Sequence, residues 1–241
     1  MKYSEPGKKG KKTQNKDTAT KYISFLKAAL DYGIESELLE INPLEKLRFS
    51  RSKPKTVYFL EDKHLKKLWN LKLETTADLA RDLSLLVCYT GMDYPDLEKF
   101  LDNPHSYLAS TSTGKQKIII NRSKPPFGEC QIPYLQPITI ILNKYKWKVP
   151  RLDDHTVNRF WQVFESQIGF KDGRVTVKIL RKTAGSLFLN EGYTLEVVQK
   201  ILGHTSISTT ERHYAKIRDK RVDREMDRVG VEFAKSISID K

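Results

Sequence analysis

Residues 177–217, VKILRKTAGSLFLNEGYTLEVVQKILGHTSISTTERHYAKI, gather side chains of the kinds that act on anionic esters. Arg181 has a planar fork suited to two phosphate oxygens. Lys178 lies three residues earlier, so on a helix both would share one face. His204 sits in Leu202-Gly203-His204, and His213 and Tyr214 follow. Upstream, Arg122 and Lys124 stand two apart in Asn121-Arg122-Ser123-Lys124, where strand alternation would place both on one face. Breaking a phosphodiester requires a positioned hydroxyl, cationic donors for the non-bridging oxygens and an acid for the leaving alkoxide. Taken singly, each residue also has a plain reading. Tyr214 is one of 11 tyrosines and His204 one of 5 histidines, and surface arginines and turn lysines are common.

The elements that must position these groups read as mostly helical. Tyr22, Phe25, Leu26, Ala29 and Leu30 follow one helical face, with Gly33 expected to end that helix and a short second helix to follow. Leu60-Glu61-Asp62 opens a helix carrying Leu65, Leu68 and Trp69, and residues 75–89 form another through Leu79, Leu83, Leu86 and Val87. Both should face a core. Residues 117–120 and 130–133 are strand-like runs parted by Pro125, Pro126 and Gly128, which predicts a small antiparallel sheet. Helices resume over 138–144, 156–167, 180–190 and 195–202, with Gly169 and Gly192 as breaks. The domain reading is a basic flexible arm over 1–17, a partial helical domain over 18–50, a linker over 51–59, a main domain over 60–220 and a tail over 221–241.

The chain has 241 residues and 39% apolar content, enough for one sizeable core and a small second unit. Its 43 Lys and Arg against 30 Asp and Glu leave a formal charge of +13, which favours a polyanionic partner, nucleic acid by default. Arg51, Lys53 and Lys55 in the linker are candidate DNA-backbone contacts. Of the two cysteines, Cys88 lies in an apolar run that reads as buried helix rather than half of a disulfide, which fits a reducing interior. The spacing of Cys and His resembles no zinc or haem site, so neither a protein-bound metal nor a cofactor is expected. No apolar stretch approaches the ~18 residues of a membrane span, and the N-terminus has no signal core. A cytoplasmic protein, nucleoid-associated when on DNA, is the expectation.

The order Tyr89-Thr90-Gly91-Met92, Asp96-Leu97, Leu180-Arg181-Lys182-Thr183, Leu202-Gly203-His204, Ser208-Thr209-Thr210 and Tyr214 resembles the tyrosine recombinases, or phage integrases, over roughly residues 55–220. The resemblance implies that family's mostly helical catalytic fold with a small antiparallel sheet, and makes residues 18–45 similar to the end of its core-binding domain. It makes Tyr214 the nucleophile of a 3′-phosphotyrosine link that conserves bond energy, so religation needs no ATP. Arg181 becomes the second active-site arginine and His204 a phosphate donor. Lys178 stands where the family most often has His, with an electrostatic role, and Lys124 becomes the hairpin lysine that protonates the 5′-oxygen. The implied assembly is a tetramer on double-stranded DNA, from protomers that are monomeric when free, with the tail docking on a neighbour or on its own domain.

Three positions depart from the pattern. Ten positions separate His204 from Tyr214, one more than is usual, and His213 takes the usual place. A one-residue shift on a helix turns a side chain by about 100°, so a local rearrangement is required. Asp93 stands where the first arginine is expected and would repel phosphate. Losing one preorganised donor costs about 10²–10³ in rate. Arg122 is the nearest replacement cation. The leading function is site-specific recombination for a mobile element. The alternatives are a degenerate, non-catalytic DNA-binding relative, to which Asp93, Lys178 and the altered spacing point, and a monomeric type IB topoisomerase.

Overall fold

The computed structural model describes residues 16–48, 58–125, 127–208, 210, 211 and 226. The chain divides into two compact units, residues 1–56 and 57–241.

In the first unit, α1 (Lys16–Glu35) is a single long helix. It runs past Gly33, contrary to the expectation that this glycine ends it. The left-handed residue that closes the helix is Glu37, at φ 58°. Gly33 serves packing instead, because a Cβ there would stand 2.9 Å from the Leu39 side chain, which folds back over it. No second helix forms over residues 36–48, where turns held by Asn42 take its place. The apolar stripe of α1 is helical as its period requires, but Tyr22, Phe25 and Leu26 are 52–63% exposed.

The second unit is built around α3 (Thr75–Thr90). Residues Leu83 to Cys88 of this helix are all buried, the pattern of a helix enclosed on every side. Around it pack α2 (Asp62–Trp69), α5 (Gln136–Lys144), α6 (Asp154–Ile168) and α7 (Val177–Asn190). The polar groups that α3 carries inward are satisfied. Ser84 donates to the Ala80 carbonyl and accepts from the Trp161 indole at 2.9 Å, and Asp82 accepts from Arg81, Lys144 and Tyr145. Cys88 is a buried free thiol whose titration burial pushes far up, and Cys130 is also free, so the two form no disulfide.

The sheet has three antiparallel strands in the order β1 (Leu108–Ser110), β2 (Gln116–Asn121), β3 (Glu129–Pro133). Ile118 pairs with Ile132 and Ile120 with Cys130, all buried, so alternation turns this face to the core. Three elements among the described residues go beyond the sequence reading, namely β1, a 3-10 turn at Pro104–Tyr107 and the short α4 (Tyr94–Asp102), whose Leu97 and Phe100 are fully buried. Finally α8 (Leu195–Leu202) lies against β3. Its N-cap Thr194 accepts from the Val197 amide, and Gly203 ends it in the left-handed region.

Because α3 is enclosed, trimming it should be costly. Leu86→Ala, at a fully buried position, is expected to lower unfolding free energy by about 2–5 kcal/mol, measured by urea denaturation.

Candidate active site

Four chain segments converge on one cleft. They are the turn after α3, the hairpin turn after β2, the start of α7 and the end of α8. Two left-handed glycines let them meet. At Gly91 a Cβ would lie 2.7 Å from the Leu202 side chain, and at Gly203 one would lie 2.5 Å from Cys130 Sγ and 2.8 Å from Arg122 Cδ. The close backbone approach thus sets the end of α8 directly against the hairpin.

Arg181 projects from the first turns of α7 and is only 8% exposed. Its Nη1 donates to the Gly91 carbonyl and its Nη2 to the Leu202 carbonyl, both at 2.5 Å, so the guanidinium joins the turn after α3 to the end of α8. Its Nε lies 3.6 Å from Asp93 Oδ1. The other oxygen of that carboxylate accepts from Arg122 Nη2 at 2.5 Å. Burial pushes the Asp93 carboxyl up, but the charge of Arg181, and the hydrogen bond and charge of Arg122, outweigh it and hold the group below the usual carboxylate range. Asp93 therefore stays ionised between two arginines. This differs from the sequence reading of Asp93 as a bare negative charge facing phosphate.

Arg122 also lies 3.4 Å from the Gly203 carbonyl, while its amide donates to the Gly128 carbonyl and closes the hairpin. Strand β2 ends at Asn121, so Arg122 and Lys124 belong to the turn and strand alternation does not set their directions, contrary to the sequence argument. Arg122 turns into the cleft, whereas Lys124 is exposed and lies outside its lining, near enough for its charge to lower Asp93.

Lys178 is exposed at the rim, and Lys182, one helical turn on, lines the same cleft. Burial, and then the neighbouring charge of Lys178, lower the Lys182 ammonium from its ordinary value. Sequence reasoning passed over Lys182, although its i, i+4 spacing from Lys178 signals the shared face. His204 completes the lining. Its Nδ1 is 3.0 Å from the hydroxyl of the buried Thr210, and Gln199 Nε2 donates to its carbonyl, so ring and backbone are both oriented. Tyr214 and His213, like the linker residues Arg51, Lys53 and Lys55, lie outside the described residues. What the described cleft offers is four cationic side chains, Arg122, Lys178, Arg181 and Lys182, and an oriented imidazole around the Asp93 carboxylate, the equipment for holding a tetrahedral oxyanion.

Residues 116–221, which hold Arg122, Lys178, Arg181, His204 and Tyr214, match the phage integrase family. Over that stretch the chain is similar to the tyrosine recombinases, or phage integrases. Members of that family break and rejoin DNA. A curated relative is the tyrosine recombinase XerC of Thermodesulfovibrio yellowstonii, 26% identical, with 87% of this chain and 77% of that protein covered. The fold matches a lambda integrase dimer bound to a COC′ core site at TM-score 0.62, with 19% identity over 82% of this chain and 73% of that one. It also matches the XerH site-specific recombinase in a post-cleavage complex at TM-score 0.54 and 15% identity, covering 71% of this chain. The chain spans about half of that XerH chain, 53%.

The contact of Gly203 with the hairpin is testable. Gly203→Ala places a Cβ at φ 61°, where L residues are strained by about 1–2 kcal/mol, and against Cys130 and Arg122. Urea unfolding should show a loss at least that large, and adding Cys130→Ala should restore only part of it, because the Arg122 clash persists.

Proposed function

We propose that this protein is a site-specific recombinase that cleaves and rejoins duplex DNA through a 3′-phosphotyrosine at Tyr214. In cleavage the phenolic oxygen of Tyr214 bonds to phosphorus and gives up its proton to water, while the bond from phosphorus to the 5′-oxygen breaks and that oxygen takes a proton, from the Lys124 ammonium in this reading. Religation is the reverse attack by the 5′-hydroxyl. One phosphate ester replaces another, so no ATP is consumed. Arg181 and Arg122 hold the non-bridging oxygens, with Arg122 supplying the cation absent at position 93, and Lys178 and His204 donate from the rim and the α8 turn.

The observation that carries this reading is that Arg122 and Arg181, 59 positions apart in sequence, already grip the two oxygens of a single carboxylate. A non-bridging oxygen pair on phosphate presents the same charge and a similar spacing. DNA is the partner, with four protomers in the synapse, and Arg51, Lys53 and Lys55 contribute salt-sensitive backbone contacts. Excision or integration of a mobile element is the use. A second reading, a DNA-binding relative without turnover, is favoured by the negative charge of Asp93 inside the arginine pair.

The deciding assay incubates the protein with labelled, nicked duplex DNA and looks for a denaturation-resistant adduct. An adduct in the unaltered protein and none in Tyr214→Phe is expected; DNA binding without adduct on any substrate would support the second reading. Arg122→Ala should cut the cleavage rate by about 10²–10³ with DNA binding retained, as loss of one preorganised donor does. Unchanged cleavage in that variant would remove Arg122 from the site.

A further inference from the structure

Asp93 is the N-cap residue of α4, where a carboxylate ordinarily accepts from amides of the first helical turn, yet its side chain makes no such bond. Both oxygens turn instead toward the cleft, one to Arg122 Nη2 and the other to Arg181 Nε. The two arginines differ in how else they are held. Arg181 has two backbone carbonyls at 2.5 Å, whereas the other contact of the Arg122 guanidinium among the described residues is a long 3.4 Å approach to the Gly203 carbonyl. The buried Nε of Arg122 has no hydrogen-bond partner among the described residues. Among the described residues, Asp93 therefore makes the one short contact that fixes the Arg122 guanidinium. The start of α4 grips the same hairpin turn a second time, because the buried Asp96 accepts from the Ser123 amide at 2.6 Å.

We propose that Asp93 is a positioning residue whose carboxylate clamps the Arg122 guanidinium beside that of Arg181, so that the two present a fixed pair of donors to one phosphate. The proposal rests on the reading of the cleft as a phosphate site. It carries an unusual signature. Asp93 also places a negative charge near the incoming phosphate, so its removal acts in opposite directions on binding and on cleavage. Without the carboxylate, phosphate is attracted more strongly but is met by a mobile Arg122. A residue needed only for folding would weaken both.

The test compares the full chain with Asp93→Asn, Asp93→Ser and Asp93→Glu, each labelled with ¹⁵N-arginine, and follows the Nε–Hε signals of Arg122 and Arg181, assigned with Arg122→Ala. Inorganic phosphate is the titrant, and adduct formation on nicked duplex DNA is measured in parallel. In Asp93→Asn the Arg122 Hε should exchange faster with water and inorganic phosphate should bind as tightly or more tightly. Cleavage should fall about tenfold to a hundredfold, the range for losing an orienting partner outside the reacting groups. Asp93→Ser, which keeps a good N-cap for α4, should behave the same way, and Asp93→Glu should recover part of the rate. Adding Asp93→Asn to Arg122→Ala should cost nothing further. An unchanged Arg122 signal in Asp93→Asn and Asp93→Ser, or equal losses of phosphate binding and cleavage, would overturn the clamp. If the unaltered protein forms no adduct, the recombinase reading falls, while the arginine signals and phosphate affinities still decide the clamp.

Discussion

Two guanidinium groups facing one small cleft repel each other unless a negative group lies between them. At an effective dielectric constant of about 20, unit charges about 5 Å apart repel by roughly 3 kcal/mol. Here Asp93 answers that repulsion, with one carboxylate oxygen toward Arg122 and the other toward Arg181. The partners meet in a site that is mostly shielded from water, the side chains of Arg122 and Arg181 being 12% and 10% exposed, so the interaction is screened less than a surface pair would be. The position at which the family pattern calls for an arginine thus holds a carboxylate, with an arginine delivered to it from another element.

That exchange depends on the surrounding framework. The α3 helix is buried from Leu83 to Cys88 and ends at Gly91, whose carbonyl accepts from Arg181. The α8 helix ends at Leu202 and Gly203, whose carbonyls face Arg181 and Arg122 respectively. Helix C-terminal carbonyls have no partner within their own helix, and guanidinium donors satisfy them while gaining from the negative end of the helix dipole. The arginines are thereby fixed by backbone that the core itself holds in place. Asp96 adds the link between α4 and the hairpin turn.

Much of this architecture was legible in the residues. The helical period of residues 75–89, the isoleucine run of β2 and the helix expected over 195–202 are local signals, and each element formed where its pattern lay. Three features were less legible. Gly33 looks like a helix stop, but Leu39 packs against it from six residues away and the helix continues. Strand β1 has three residues and exists only through its pairing with β2. Lys182 was hidden by the stronger motif residue beside it, although it lines the same cleft.

By itself the sequence determined the resemblance to phage integrases, the helical and strand segments, and the kinds of side chain assembled for chemistry on an anionic ester, because these depend on residue type and spacing along the chain. Only the tertiary structure decided what Asp93 does. In the sequence it is a negative charge where a positive one is expected, and Arg122 is a turn arginine 29 positions away. Their pairing follows from the close approach of the hairpin to α8 at Gly203 and from the tether of Asp96 to Ser123. Charge interactions act through space, so the sign of the field at this site is set by which elements the core brings together and not by the order of residues in the chain.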